Sequence, residues 1–166
     1  MHALLLALSL VAVSPAARAK SPASPAYTTP QAVAVAVSDV RVRLMPPGAP
    51  ATGAFLTLKN TGDAPAAVVA AESTAATTVE LHTHVQEDGM MKMRQIPRID
   101  VPANGETVLQ PGGLHIMLIG LLRRLEQGGT VPLTLVFEDG SRFDVDAPVV
   151  EISPPKHTGA HHAGHH

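Results

Sequence analysis

The stretch "VELHTHVQEDGMMKMRQI", residues 79–96, decides the fold, because two β-type runs flank a single Asp-Gly pair. An Asp-Gly pair in this setting predicts a β-hairpin with a two-residue turn at Asp88 and Gly89. Cross-strand neighbours in a hairpin lie about 5 Å apart, within reach of a shared ion. The turn fixes the facing pairs as His82 with Gln95, His84 with Met93, and Val85 with Lys92. Side chains two residues apart share a face of a strand, so His82, His84, Met91 and Met93 are predicted on one face.

Outward from the hairpin, short β-type runs alternate with Gly, Pro, Asn and Asp along the chain. Ten such runs of this length predict an all-β Greek-key sandwich in a single domain, residues 32–154. The core must be built from Val, Leu, Ile and Ala, because the sequence has no Trp, one Tyr and three Phe. Only "GLLRRLEQGG", residues 120–129, is expected to form a helical turn.

Both ends of the chain differ in composition from this domain. Residues 1–19 contain an apolar run followed by Ala17-Arg18-Ala19, which is typical of a secretory signal peptide and too short for a membrane span. Residues 20–31 are rich in Pro, Ser and Ala and read as a linker. Residues 155–166 form a histidine-rich tail predicted to be disordered without a ligand. We therefore expect an exported protein of the periplasm or another extracytoplasmic compartment, without stable membrane insertion.

Charge and cysteine content exclude several functions. Twelve basic and 14 acidic residues give a formal net charge of -2, which provides no extended basic field for nucleic acid or anionic lipid. The sequence has no cysteine, so it offers no disulfide, no thiolate metal ligand and no lipoprotein attachment site. A soft metal ligand in this chain must therefore be a thioether.

Metal-binding side chains repeat at strand spacing in three places. His82 and His84, Met91 and Met93, and His115 and Met117 each form a pair two residues apart. Methionine is more often a core filler than a ligand. However, four of the six methionines fall in or beside these segments, and the apolar strands contain none. The pattern predicts a metal site, although the sequence does not say whether the His115 strand lies beside the hairpin.

The spacing between these residues resembles a known signature. A histidine, ten residues, a methionine, 21 residues, a histidine, one residue and a methionine is similar to the copper-binding pattern of the PCu(A)C copper chaperones. The surrounding segments "GAFLTLKNTGDAP", "DGMMKMRQI" and "PGGLHIMLIGL" also resemble that family, over residues 37–149. The resemblance implies a cupredoxin-like sandwich that binds Cu(I) through His82, Met93, His115 and Met117. The family often has methionine where this chain has His84, so His84 is expected as an auxiliary ligand. Met91 is expected as a second one, because its strand parity leaves it near the site.

The implied function is a periplasmic metallochaperone that delivers Cu(I) to an apo-metalloprotein. The resemblance points to a haem-copper oxidase copper centre, as on cytochrome oxidase subunit II, or to another assembly chaperone as the acceptor. A monomer is expected. The alternative is copper buffering or resistance, which needs the same site. A blue-copper electron carrier would need a cysteine ligand, which this sequence lacks. An enzyme would need an open metal position beside an acid or base, whereas the motif fills four positions and brings no carboxylate of its own, so catalysis is not expected.

The tail suggests a second, different metal chemistry. Its imidazoles are borderline nitrogen donors, which suit Cu(II) better than Cu(I). We therefore interpret the tail as a device that captures Cu(II) and raises its concentration near the core. Its five histidines are His157, His161, His162, His165 and His166.

Overall fold

The computed structural model describes residues 30–152, which contain ten strands and one short helix. In chain order the elements are α1 (Gln31–Ala34), β1 (Val35–Arg43), β2 (Ala51–Asn60), β3 (Ala66–Glu72), β4 (Ala76–Glu87), β5 (Met90–Gln95), β6 (Ile99–Val101), β7 (Glu106–Leu109), β8 (His115–Leu121), β9 (Thr130–Phe137) and β10 (Arg142–Val150). The predicted signal peptide, most of the predicted linker and the histidine-rich tail lie outside the described residues. Within residues 30–152, no helix has the length and apolar character that a membrane crossing requires.

Each of the ten predicted runs corresponds to one strand, but the helix prediction was wrong. Gly120 and Leu121 end β8, and residues 122–129 form bends, a turn and irregular backbone. Gly120 and Gly128 have φ of 67° and 78°, outside the right-handed helical region. The helix instead opens the described chain, where the Gln31 backbone N–H donates to Asp139 and the Ala32 N–H donates to Ser141. These bonds attach the start of the domain to the β9–β10 turn.

The strands form two sheets. The first has the order β5-β4-β8-β2-β1, with β7 also paired to β2, and the second has the order β10-β9-β3-β6. A short parallel ladder joins them, where Val42 and Arg43 pair with Val149 and Val150. The predicted fold class, an all-β cupredoxin-like sandwich, is confirmed.

Alternating burial shows where the core lies. Along β9, every second side chain from Val131 to Phe137 is buried, and β2 buries Leu56 and Leu58 toward the second sheet. Burying each such side chain contributes about 1.5–3 kcal/mol. The opposite, outer face of the first sheet includes alternate residues of β2, β4, β5 and β8, and the candidate site lies on this face.

Candidate metal site

The hairpin of β4 and β5 has the register that the sequence predicted. Asp88 and Gly89 form its turn with φ of 53° and 76°, and left-handed values at both positions are what a type I′ turn requires. The paired residues are His82 with Gln95, His84 with Met93, and Val85 with Lys92. Both histidines and both predicted methionines of the hairpin therefore lie on one face.

Strand β8 lies directly beside β4, a placement that the sequence left undetermined. His82 is paired with His115, and Glu80 is paired with Met117. The His115 ring centroid lies 5.7 Å from that of His82 and 5.0 Å from that of His84. The fold thus brings together three imidazoles from parts of the sequence about 30 residues apart.

A cavity of about 620 Å³ opens over this face of the sheet. Its potential metal ligands are Met45, Met91, Met93, Met117, His84 and His115. Three of the four residues predicted as principal ligands therefore line one space, as do both predicted auxiliary ligands. His82 is not among the lining residues of this cavity, although its ring adjoins that of His115.

His115 is held deep in the sheet by its neighbours. It is only 3% exposed, and its Nδ1 lies 3.0 Å from the Gly113 carbonyl oxygen. A carbonyl only accepts hydrogen bonds, so Nδ1 carries the proton and the Nε2 lone pair is available as a donor to a metal. Burial lowers the pKa of His115 below its ordinary value of 6.5, the Gly113 hydrogen bond opposes this in part, and the nearby His84, His82 and Arg43 lower the pKa further. The imidazole therefore stays neutral, and able to bind a metal, to a lower pH than an ordinary histidine does.

An aromatic ring forms one wall of the site. Phe55 lies on the outer face of β2, yet it is buried, and its ring centroid is 6.3 Å from that of His115. The Arg43 guanidinium lies 5.5 Å from the Phe55 centroid, a cation–π arrangement. A side chain at Gly53 would place its Cβ 3.1 Å from the Phe55 ring. Glycine at this position therefore leaves room for the Phe55 ring near His115.

A carboxylate also belongs to the site, which corrects the expectation that the motif brings none. Oε2 of Glu80 lies 2.7 Å from Nε2 of His82. Both side chains are partly buried, so the contact is shielded from water. Because Glu80 lies two residues before His82 on β4, its side chain is on the same face of the sheet.

Comparisons with known proteins show the family of this chain. The family described as "Putative lipoprotein LpqE-like" matches residues 35–149. The chain belongs to the LpqE-like family. "Putative lipoprotein Lxx21020" of Leifsonia xyli subsp. xyli (strain CTCB07) is 40% identical over 91% of this chain and 87% of its own length.

Solved structures with the same fold include copper-loaded proteins. The Cu(I) form of DR1885 from Deinococcus radiodurans is 36% identical, covers 76% of this chain and 82% of its own, and has a TM-score of 0.59. The copper-bound PCuAC domain from PmoF2 is 20% identical, covers 72% of this chain and 94% of its own, and has a TM-score of 0.61, which shows the shared fold. The resemblance to the PCu(A)C family is confirmed, and copper is the metal bound by these relatives.

The predicted ligands of this LpqE-like chain differ widely in exposure. His115 is nearly inaccessible on β8, an interior strand of the sheet, whereas Met91 and Met93 are 52% and 51% exposed. Both methionines belong to β5, which in the described part of the chain is an edge strand paired with β4 alone. The site therefore combines a buried, preorganised imidazole with thioethers that a second molecule can reach.

The available donors favour a soft monovalent ion. Within the described residues, no group of three histidine, aspartate or glutamate side chains is arranged to hold a metal by itself, and this includes the three neighbouring imidazoles. Thioether sulfur prefers Cu(I), and imidazole accepts Cu(I), Cu(II) and Zn(II). Nε2 of His115 makes no side-chain hydrogen bond within residues 30–152, and His115 lines the same cavity as Met93 and Met117, a donor set that fits Cu(I).

Sequence reasoning missed four contributors to this site, namely Met45, Arg43, Phe55 and Glu80. Met45 was set apart from the motif because it lies 37 positions before His82, in the segment after β1. Only the pairing of β1 with β2 and of β2 with β8 brings that segment to the cavity. Of the four, Glu80 alone had a signal in the sequence, its spacing of two residues from His82.

Proposed function

We propose that this protein is a copper chaperone that binds Cu(I) through His82, Met93, His115 and Met117. The observation that carries the proposal is the convergence of Met93, His115 and Met117 on one cavity, with His82 against the ring of His115. These four donors are uncharged, so binding requires only that the two imidazoles be neutral. Two thioethers among the donors favour Cu(I) over Zn(II).

His84 and Met91 are the proposed auxiliary ligands. His84 lines the cavity, is paired with Met93 across the hairpin, and has its ring closer to His115 than that of His82. Met91 shares the strand face of Met93 and is half exposed. We propose that these two side chains hold copper transiently while one of the four principal ligands is displaced.

Delivery is the proposed use of the site, because part of it is accessible. Met93 lies on the edge strand, so a ligand of the acceptor can replace its sulfur on the copper ion. His115, in the sheet interior, still binds the ion during this exchange. The proposed acceptor is an apo copper protein, such as subunit II of a cytochrome oxidase or another assembly chaperone, and the protein acts as a monomer without catalysis. Storage for copper buffering or resistance is the alternative.

Extracytoplasmic action in the periplasm is also proposed. The signal-peptide prediction for residues 1–19 and the word lipoprotein in the names of the related family and of the Leifsonia protein support it. Thioether ligands suit an oxidising compartment, where thiolates are exposed to disulfide formation.

The histidine-rich tail is the proposed Cu(II) collector. It is tethered to the core, so it would act by raising the local copper concentration. Removing residues 156–166 should reduce Cu(II) uptake while leaving Cu(I) affinity unchanged. Unchanged Cu(II) uptake and delivery after truncation would argue against this role.

Cu(I) titration of the reduced protein against a competing chelator tests the core site. The double change Met93→Leu with Met117→Leu removes both sulfurs while nearly conserving volume. We expect its Cu(I) affinity to fall by more than the 10- to 100-fold that loss of an outer-shell partner typically costs. Met90→Leu is the matched control, because Met90 is also exposed on β5 but points to the opposite face. Loss of tight binding on tail truncation, with the double variant unaffected, would refute the core site.

A transfer assay separates delivery from storage. The Cu(I)-loaded protein is mixed with a purified apo subunit II copper domain, the proteins are separated, and the copper in each is measured. Delivery predicts transfer faster than release to a chelator of equal affinity. Copper that leaves no faster in the presence of the acceptor would favour storage.

A further inference from the structure

Glu80 has a contact that the proposed copper ligands alone do not explain. Its carboxylate lies 2.7 Å from Nε2 of His82, and its backbone is paired with Met117. Side-chain exposures of 14% for His82 and 26% for Glu80 leave little room for competing water. The contact is therefore well placed to control the orientation of His82.

The carboxylate determines which nitrogen of His82 carries the proton. An ionised carboxylate only accepts hydrogen bonds, so Nε2 is the protonated nitrogen in this contact. In a neutral imidazole the lone pair then belongs to Nδ1. Among the described residues, Nδ1 of His82 is buried and has no hydrogen-bond partner. A buried polar atom of this kind calls for a functional explanation, because such atoms are normally paired.

The two histidines paired across β4 and β8 are held in opposite tautomers. The Gly113 carbonyl accepts from Nδ1 of His115 and leaves Nε2 with the lone pair. Glu80 accepts from Nε2 of His82 and leaves Nδ1 with the lone pair. In each case an oxygen atom holds the proton on one ring nitrogen and leaves the lone pair on the other. Groups that hydrogen-bond to metal-binding histidines commonly have this effect.

We propose that Glu80 is a positioning residue that commits Nδ1 of His82, rather than Nε2, as a copper donor. This inference rests on the proposed function, and it adds an outer-shell carboxylate to the site and an asymmetry between its two imidazoles. The hydrogen bond raises the basicity of the donor nitrogen. The carboxylate also places a negative charge against His82, whereas the proposed copper donors themselves are neutral.

The tautomers can be read directly from the full-length apo protein. Long-range ¹H–¹⁵N correlation spectra distinguish a proton on Nδ1 from one on Nε2 for each histidine. We expect His82 as the Nε2–H tautomer and His115 as the Nδ1–H tautomer. A His82 ring that is protonated on Nδ1, or that exchanges rapidly between tautomers, would overturn the inference without involving copper.

Substitutions at Glu80 test its role as a positioning residue. Glu80→Ala removes the acceptor, and we expect loss of the single His82 tautomer and a 10- to 100-fold loss of Cu(I) affinity. Glu80→Gln keeps an amide oxygen that can accept from Nε2, so it should retain the tautomer and lose less affinity. Glu87→Ala is the matched control on the same strand, because Glu87 contacts Lys92 and Arg94. If Glu80→Ala and Glu87→Ala have equal effects, Glu80 has only a general structural role.

The Cu(I)-loaded protein separates this inference from the proposed function. Cu(I) is diamagnetic, so the same spectra can be recorded after loading. Retention of the Nε2 proton on His82 with a shifted Nδ1 resonance supports coordination through Nδ1. Coordination through Nε2 would overturn the inference and leave the chaperone proposal intact. Absence of core Cu(I) binding, with both apo tautomers as expected, would overturn the proposed function instead.

Discussion

Replacing Phe55 with leucine should raise the pKa of His115 toward its ordinary value of 6.5. Phe55 is 3% exposed, and its ring packs near the His115 imidazole on the outer face of the sheet. Burial is the main cause of the lowered His115 pKa, and a smaller aliphatic side chain admits water beside the ring. The charged imidazolium then becomes less unfavourable in the folded protein.

The same change should destabilise the protein by about 2 kcal/mol. Shortening a buried phenylalanine to leucine costs about 1–2 kcal/mol in lost packing, and the lost Arg43 contact adds about 0.5–1 kcal/mol. For a domain of this size, the loss corresponds to a Tm decrease of roughly 6–10 °C. That is a large share of a typical stability of about 5–15 kcal/mol, but the protein should remain folded.

The pH dependence of stability follows from the direction of the shift. In the native protein, the His115 pKa is below its unfolded value, so the unfolded chain binds more protons between the two values. The contribution of His115 to the free energy of unfolding is therefore fully present above pH 6.5 and is lost as the pH decreases toward the native pKa of His115. Phe55→Leu brings the two values closer together, so its destabilisation should be larger at pH 8 than at pH 5.

NMR titration of the His115 ring and urea denaturation at both pH values measure these effects. Phe137→Leu is the control, because Phe137 is 1% exposed but lies in the core between the sheets. It should cost similar stability and leave the His115 pKa unchanged. An unchanged His115 pKa in Phe55→Leu, or an equal shift in Phe137→Leu, would refute the role assigned to the Phe55 ring.

Two further predictions concern local structure. Gly120→Ala should destabilise by about 2–3 kcal/mol in urea denaturation, because φ is 67° and the new Cβ would lie 2.8 Å from Thr77 Oγ1. Gly128→Ala, with φ of 78° and open space around it, should cost only about 1–2 kcal/mol, and equal costs would contradict the steric argument. Two hydrogen bonds lower the pKa of Glu87 below 4.5, and the one from Lys92 has a larger effect than the one from Arg94. Lys92→Ala should therefore raise the Glu87 pKa in a carboxyl NMR titration. In the unaltered protein, the stabilisation from the Lys92–Glu87 pair should be lost as the pH falls below 4.5. An unchanged Glu87 pKa in Lys92→Ala would contradict the pairing.

Local chemistry explains why the hairpin could be predicted in full. The left-handed conformations at Asp88 and Gly89 belong to a two-residue turn, and such a turn determines every cross-strand pair that follows. The face of each side chain then follows from the two-residue period of a strand. The boundaries of the ten strands follow similarly from Gly, Pro, Asn and Asp between apolar runs.

Long-range pairing explains what could not be predicted. The position of β8 between β4 and β2 depends on burial of Ile116 and Leu118 in the core, which carries no local sequence signal of its partner strands. Met45 reaches the cavity only through that pairing. The Glu80 contact depends on side-chain rotamers, which strand parity permits but does not determine.

The division of the proposed ligands between an interior and an edge strand bears on how copper can be both held and released. His115 and Met117 belong to β8, which is hydrogen-bonded to β4 on one side and to β2 on the other. Met93 belongs to β5, whose second edge is free in the described sheet. Local opening costs least where backbone bonds and buried contacts are fewest, so β5 should open more readily than β8. Copper bound at the proposed site would therefore exchange its Met93 sulfur first and its His115 nitrogen last, and an acceptor that supplies its own soft ligand at the hairpin edge could take the ion without unfolding the sheet.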